Sequence, residues 1–279
     1  AYGYACGVHM PLVMGLHVVI IPNLDPAKLG ALIWKYKPEH MFGVPAHYQQ
    51  LAADPKLRDK DLSFILNYAA GGDAIARGAE QTVNDFLAAH GVRYPIAKGY
   101  GMTEATPLLA YAGSSEYVAG SCGKPVDCAT VRIDSDDPQH IVGEIQAKGD
   151  NICLGYYKNP EASANAFTED GFLRTGDLGL FDADGNLYIK GRSKSMILSA
   201  NGQNIYPEEV EAVVNSQPYV QESVVVDRSA RLVALVYLDQ EALRKDGLDQ
   251  EAIADLPERI RINSDKQLPN YSQITKVEI

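Results

Sequence analysis

The chain has 279 residues, with 36 acidic against 25 basic for a formal charge of −11, and 46% of it is hydrophobic. That is ample for a packed core and excludes both a disordered tail and a small module that needs disulfides or metals to fold. The negative balance argues against a chain-wide electrostatic footprint for nucleic acid or an anionic membrane, so a polyanionic ligand must be met by local groups.

The sequence opens on Ala1 with no initiator methionine and no basic leader, as a processed product or an excised piece would. The most apolar stretch, Val8 to Ile21, is shorter than the roughly 20 residues of a membrane span and is broken by His9, Pro11, Gly15 and His17. A buried segment is expected there, with Leu16 to Ile21 as a strand. Pro26 to Lys37 follows as a helix with Leu29, Leu32 and Ile33 on one face, and Leu62 to Tyr68 as the next strand. Asp73 is placed to cap a helix in which Ile75, Ala79, Val83, Phe86 and Leu87 recur at helical spacing and which ends at Gly91. The alternation is that of an α/β fold with a parallel sheet.

From about Tyr111 to Lys190 the texture changes to short strands, Val131 to Ile133, Gly143 to Lys148 and Leu187 to Lys190, separated by turns such as Asp134–Pro138 and Asp182–Asn186. A small barrel-like β subdomain has this pattern. Beyond Arg192, Pro207 stands at a helix start with Glu208, Glu209 and Glu211 in its first turns, followed by strands Ser223 to Val226 and Leu232 to Leu238 and a polar helical stretch from Gln240, which reads as a small α+β domain. Cys6, Cys122, Cys128 and Cys153 form no C-x-x-C pair and read as ordinary thiols of a reducing cytosol.

Some apparent motifs fail. Gly120–Pro125 contains Gly-Lys but has Val118 where a phosphate loop needs glycine and Pro125 where it needs Ser or Thr, so it is a turn. Asp182-x-Asp184-Gly185 has the wrong glycine spacing for a calcium loop, and its twelfth position is Ser193 rather than Glu, so a hairpin turn is expected. Gly71-Gly72 alone marks only a tight bend. Tyr100-Gly-Met-Thr-Glu104 alone could be a structural turn, although it gathers an aromatic ring, a hydroxyl and a carboxylate within five residues.

In order along the chain, Gly99-Tyr-Gly-Met-Thr-Glu104, Gly155-Tyr-Tyr-Lys-Asn-Pro160, Gly171-Phe-Leu-Arg-Thr-Gly-Asp177, Gly191-Arg192 and Gly202-Gln-Asn-Ile-Tyr-Pro-Glu-Glu-Val-Glu211 resemble the adenylate-forming superfamily of acyl-CoA synthetases, luciferases and adenylation domains. Long-chain fatty-acid–CoA ligases are the nearest in pattern. The resemblance implies a partial α/β subdomain of a large domain over 1–110, a β-rich subdomain over 111–193 and a mobile α+β domain over 194–279, truncated at its end. It implies an AMP-forming acid–thiol ligase that joins a carboxylate to ATP and passes the acyl group to coenzyme A, and it places the protein in the cytoplasm.

By the same resemblance, Glu104 would hold Mg²⁺, Thr103 would hydrogen-bond the α-phosphate, and Tyr100 would lay its ring against adenine, with Gly101 in the same nucleotide-binding loop. Asp177 would accept from both ribose hydroxyls, a task suited to an acceptor-only carboxylate. Arg192 would add a charged donor near the ribose and phosphate. Gly71, Gly72 and Asp73 would border adenine and the acyl tunnel, Lys194 would be the hinge of the smaller domain, and the loop through Gly202 would face the pantetheine channel. A Ser/Thr/Gly-rich phosphate loop and a gating histidine would lie before this sequence. The lysine that stabilises the adenylation transition state would lie after Leu268-Pro-Asn-Tyr271, and Lys276 is too close to that stretch to be it. The sequence is therefore expected to be the C-terminal half of a synthetase, inactive alone and prone to self-association, with peripheral membrane contact left open and no nucleic acid partner. The alternatives are an adenylation domain loading an amino or aryl acid onto a carrier protein, or a noncatalytic scaffold derived from a synthetase.

Overall fold

The computed structural model describes residues 1–199 and 201–279, leaving aside the side chains of Ser114 and Glu241. Residues 1–189 and 190–279 form two units. In the first, β1 (His40–Gly43), β2 (Asn67–Ala70) and β3 (Ala97–Tyr100) are parallel neighbours. The antiparallel β4 (Ala110–Ala112) and β5 (Lys124–Pro125) complete the order β1-β2-β3-β4-β5.

Parallel strands need crossovers, and two helices supply them. Pro45–Ala53 starts on Pro45, whose missing N–H costs nothing at a helix start. Arg77–Ala89 buries Val83 and Leu87 and gives way to Gly91 at φ 81°. Between sheet and helices lies a core that includes Ile33, Tyr48, Leu57, Leu62, Ile65 and Ile96. Glu80 on the second helix meets Lys98 on β3 at 2.8 Å, with only 2% and 7% of the two side chains exposed. The Asn84 amide beside this pair donates to the Tyr117 hydroxyl (3.1 Å) and accepts from Ile96 N (2.9 Å).

The other sheet, within whose last strand the first unit ends at Ile189, is antiparallel, with β6 (Ala129–Asp134), β7 (Gly143–Gly149), β8 (Leu173–Phe181) and β9 (Leu187–Arg192) in that order. It is an open four-stranded sheet rather than a closed barrel, since four strands are too few to wrap round a core. Arg132 on β6 donates to both Asp170 oxygens (2.6 and 3.0 Å) and lies over the Phe172 ring. In the Asp182–Asn186 turn the Asp182 carboxylate accepts from Asp184 N, Asn186 N and the Asn186 amide, so its oxygens are spent within a hairpin turn, as the sequence suggests.

The second unit carries a short hairpin of β10 (Ile197–Leu198) and β11 (Asn204–Ile205), and a sheet of β12 (Val220–Asp227), β13 (Leu232–Leu238) and β14 (Lys276–Glu278). Helices Pro207–Asn215 and Gln250–Asp265 pack on that sheet through Val210, Val214, Leu256 and Ile260. The helix start at Pro207 and strand β13 fall where the sequence puts them.

Several expectations need correction. Leu16 to Ile21 is neither strand nor buried. The strand span 16–21 is irregular, and Leu16, Val19 and Ile20 are exposed, because an apolar run becomes a strand only where a ladder partner meets it and none is described for this one. Leu62 to Tyr68 yields strand only from Asn67, with Leu62 and Ile65 buried in the preceding turns. Asp73 caps no helix: its Oδ1 accepts from Ala74 N (2.8 Å), and the helix begins at Arg77 behind Ala76. Missed altogether were β1, β4, β5, β8, β10, β11 and β14, together with the helices Pro45–Ala53 and Pro160–Ala166.

Glu80→Gln leaves the Lys98 charge buried without its counterion, and should lower the stability of the first unit by about 3–5 kcal/mol in urea denaturation. Glu80→Leu combined with Lys98→Met should recover most of that loss. At the other pair, Arg132 and the Thr168 hydroxyl hold the Asp170 carboxyl down at about 2. A depressed carboxyl contributes stability above its unfolded pKa, and the contribution disappears as the pH falls through the folded value. The melting-temperature gap between the parent chain and Asp170→Asn should therefore be full above about pH 4 and close as pH falls toward about 2.

Candidate active site

Because β1, β2 and β3 are parallel, their C-terminal ends open on one edge of the sheet, the position at which open α/β sheets take ligands. Gly71-Gly72-Asp73 leaves β2 there, and Gly101–Glu104 leaves β3 beside it. Gly71 N donates to Gly43 O (3.1 Å), tying the β1 and β2 exits together. The Tyr2 ring lies against Gly71, where an added Cβ would stand 3.2 Å from it, and its hydroxyl reaches Ala69 O at 3.1 Å. Burial raises the Tyr2 pKa, so the hydroxyl remains a donor. Gly101 passes so close to the Pro107 carbonyl that any Cβ would overlap it, which fixes glycine at this turn. Gly72 and Asp73 are exposed.

Tyr100, the last residue of β3, sends its hydroxyl to Asp177 Oδ2 at 2.8 Å. Its ring is buried with Ala105, Leu109 and Ile145. Burial first, and the Asp177 charge next, push its pKa well above the ordinary phenol value, so the proton stays on Tyr100. Asp177 sits on β8 in a bulge: Glu144 pairs with Leu178 and Gln146 with Arg174, leaving residues 175–177 opposite Ile145 alone. Gly176 takes φ 74° to make the detour. Glu144 clamps it through Gly176 N (3.1 Å) and Arg174 Nη1 (3.3 Å), while the Thr175 hydroxyl donates to Ile145 O (2.7 Å) and accepts from Asp177 N (3.1 Å).

Glu104 lies in a 3₁₀ turn, Thr103–Ala105. Its Oε1 accepts from the Tyr156 hydroxyl at 2.9 Å, and its carbonyl accepts from Cys153 N at 2.8 Å. Asn151 Nδ2 donates to Ala105 O (3.0 Å) and Leu108 O (2.8 Å) on the same loop. The Thr103 hydroxyl is exposed and accepts from the Ala1 amino group (3.3 Å). Tyr2, Tyr156 and Asn151 are the residues that sequence reasoning missed. Tyr156 belongs to a motif quoted above, but its partner is 52 residues away, a pairing that no local spacing encodes.

Arg192, Lys194 and Gly202 belong to the second unit. Arg192 ends β9, where its backbone N donates to Glu208 Oε1 (3.3 Å). Lys194 is exposed in the turn that follows, and Gly202 takes φ 78° between β10 and β11. A cleft of about 340 Å³ in this unit, lined by residues including Gln203, Arg231 and Tyr271, contains neither Arg192, Lys194 nor Gly202.

The donor set can be tested against the ligands that the motifs imply. Among the described residues no group of three His, Cys, Asp or Glu side chains could cage a metal. Magnesium, however, is usually held by one or two carboxylates together with substrate phosphates, and the single partly exposed carboxylate of Glu104 fits that mode. An acceptor-only carboxylate such as Asp177, fixed by Tyr100 and the bulge, suits a diol. No helix among the described residues is long and apolar enough to cross a membrane.

Residues 1–157 match the family described as AMP-binding enzyme. The chain is 32% identical over 233 residues to the probable 4-coumarate–CoA ligase 1 of Dictyostelium discoideum, covering 82% of this chain and 42% of that one. It is 32% identical over 230 residues to the long-chain-fatty-acid–CoA ligase of Bacillus subtilis (strain 168), covering 80% and 40%. The crystal structure of ATP-bound MatB from Rhodopseudomonas palustris superposes with a TM-score of 0.78 at 26% identity, covering 97% of this chain and 52% of that one. The chain thus spans about two fifths of the length of these curated relatives. With the strand-end loops, the bulged aspartate and a family match over more than half of its residues, the chain belongs to the AMP-binding enzymes, the adenylate-forming family that includes acid–CoA ligases.

Proposed function

We propose that these residues serve an AMP-forming acid–CoA ligase. A carboxylate oxygen attacks the α-phosphorus of ATP, pyrophosphate leaves, and the CoA thiol then displaces AMP from the acyl adenylate to give the thioester. The observation that carries the reading is the 2.8 Å bond from Tyr100 to Asp177, which joins two motifs 77 residues apart into one buried, oriented acceptor. Asp177 accepts from the ribose hydroxyls, with Tyr100 beside the adenine and holding the carboxylate in place. Thr103 donates to the α-phosphate, the Gly101 loop gives room for the nucleotide, and Gly71, Gly72 and Asp73 border the adenine and the acyl group. Glu104 would hold Mg²⁺, whose chemistry when bound is neutralisation of the charge on the phosphates that repels an anionic nucleophile. In the second unit Arg192 is assigned as a charged donor to the nucleotide, Lys194 as a hinge and the Gly202 loop as a contact for pantetheine, all on their motif match. The division at 110 and 193 into subdomains and a mobile domain belongs to the same reading, as does a cytoplasmic location.

Long-chain fatty acid is the substrate class proposed, supported by the motif pattern and by the name of the Bacillus relative. The name of the Dictyostelium relative points instead to an aryl acid. ATP–pyrophosphate exchange by the natural gene product, screened over fatty, aryl and amino acids, separates these classes. Exchange with long-chain fatty acids is the expected result, and a preference for aryl or amino acids would replace the substrate assignment.

AMP at about 100 times its dissociation constant should stabilise the parent chain by about 2.7 kcal/mol, read as a rise in melting temperature. Asp177→Asn should abolish the rise, and Tyr100→Phe should reduce it. An equal rise in all three proteins would remove Asp177 from the nucleotide site.

A further inference from the structure

The segment 151–163 has no role in the proposed function, yet its hydrogen bonds converge on the loop that carries Glu104. Cys153 N donates to the Glu104 carbonyl, Asn151 Nδ2 to the carbonyls of Ala105 and Leu108 on the same loop, and the Tyr156 hydroxyl to Glu104 Oε1. The segment contributes little burial of its own. Leu154 is fully exposed, Tyr157 is 90% exposed and Tyr156 is 41% exposed. A loop that packs so little apolar surface is nonetheless tightly fixed. Tyr156 N donates to Ser163 Oγ (2.8 Å), Ser163 Oγ reaches Asn159 O (2.8 Å), and Asn159 caps the helix Pro160–Ala166 through Ala162 N (3.0 Å).

We infer that Tyr156 is a positioning residue that sets the Glu104 carboxylate for a divalent cation bound with the nucleotide phosphates. The inference rests on the reading of Glu104 as the cation-holding group. A glutamate has three rotatable bonds, and on an exposed turn its carboxylate would sample many orientations. The phenol donates to Oε1 alone, which fixes the plane of the carboxylate and keeps the lone pairs of Oε2 for a metal. Hydrogen bonds of this kind to ligating carboxylates fix orientation, and their loss typically weakens metal binding by about 10–100-fold. Ser163 acts one step further out, by holding the backbone of Tyr156.

The test compares ATP affinity in excess Mg²⁺ with ATP affinity in EDTA, by titration calorimetry, for the parent chain, Tyr156→Phe, Ser163→Ala and Glu104→Gln. The ratio of the two affinities measures how strongly the cation assists the nucleotide. In Tyr156→Phe the ratio should fall about ten-fold, with affinity in EDTA unchanged. Ser163→Ala should move the ratio in the same direction by less, and it carries the test if the melting temperature shows that Tyr156→Phe does not fold. A ratio in Tyr156→Phe equal to or above that of the parent overturns the inference, and so does an equal loss with and without Mg²⁺, which is what a merely structural role predicts. If Glu104→Gln keeps the parent ratio, or the parent shows no assistance by Mg²⁺, the reading of Glu104 fails and the inference fails with it. A fall in Glu104→Gln alone removes only Tyr156.

Discussion

A carboxylate that is taken out of water must be given hydrogen-bond donors, and the first unit is arranged around that demand at Asp177. Burying an ionised group without compensation would shift its proton equilibrium or unfold its surroundings. Here a phenol from the parallel sheet supplies a donor, and a bulge in the antiparallel sheet brings the carboxylate to it. The bulge needs a backbone conformation that Gly176 supplies, and the Glu144 carboxylate and the Thr175 hydroxyl bond the residues it displaces. One hydrogen bond thus links the two sheets of the unit, and small polar residues at the bulge satisfy backbone groups that regular pairing would otherwise occupy.

The same economy separates core from site. Ile96 just before β3 and Ala97 at its start are fully buried, Lys98 next to them is neutralised by Glu80, and Tyr100 closes the strand with a polar atom at its ring edge. Along one short strand the side chains pass from packing, through a satisfied charge pair, to an oriented donor. The buried Glu80–Lys98 pair is thereby close in sequence to the site but separate from it in chemistry. Both oxygens of Glu80 accept from Lys98, and Tyr117 completes the cluster, bonded to Glu80 with its ring beneath the Lys98 ammonium.

Periodicity made the helices Arg77–Ala89 and Pro207–Asn215 legible, because Val83 with Leu87 and Val210 with Val214 bury one face at helical spacing. It failed where a segment's state depends on a distant partner. Leu16 to Ile21 has strand composition and no described ladder. The β8 strand was hidden because its glycine and polar residues look like a turn, and in three dimensions they are a bulge. Asp73 has the chemistry of a cap but bonds its immediate neighbour instead. Motif order singled out Tyr100, Glu104 and Asp177 as candidates, while the Tyr100–Asp177 and Tyr156–Glu104 bonds join residues too far apart for any local pattern to reveal.

The acidity of the chain sets the last constraint. A net charge of −11 repels a triphosphate at long range, and the proposed nucleotide site adds two carboxylates, Glu104 and Asp177, against the single charged donor Arg192. Their placement resolves the conflict by chemistry rather than by net charge. In the proposed reading Asp177 faces hydroxyls, which are neutral donors, so its charge would strengthen the contact. Glu104 would meet phosphate only through a cation, and without one it would oppose the phosphates. On the same reading that carboxylate would discriminate between ligands, because adenosine presents it with no charge, AMP with little and ATP with much.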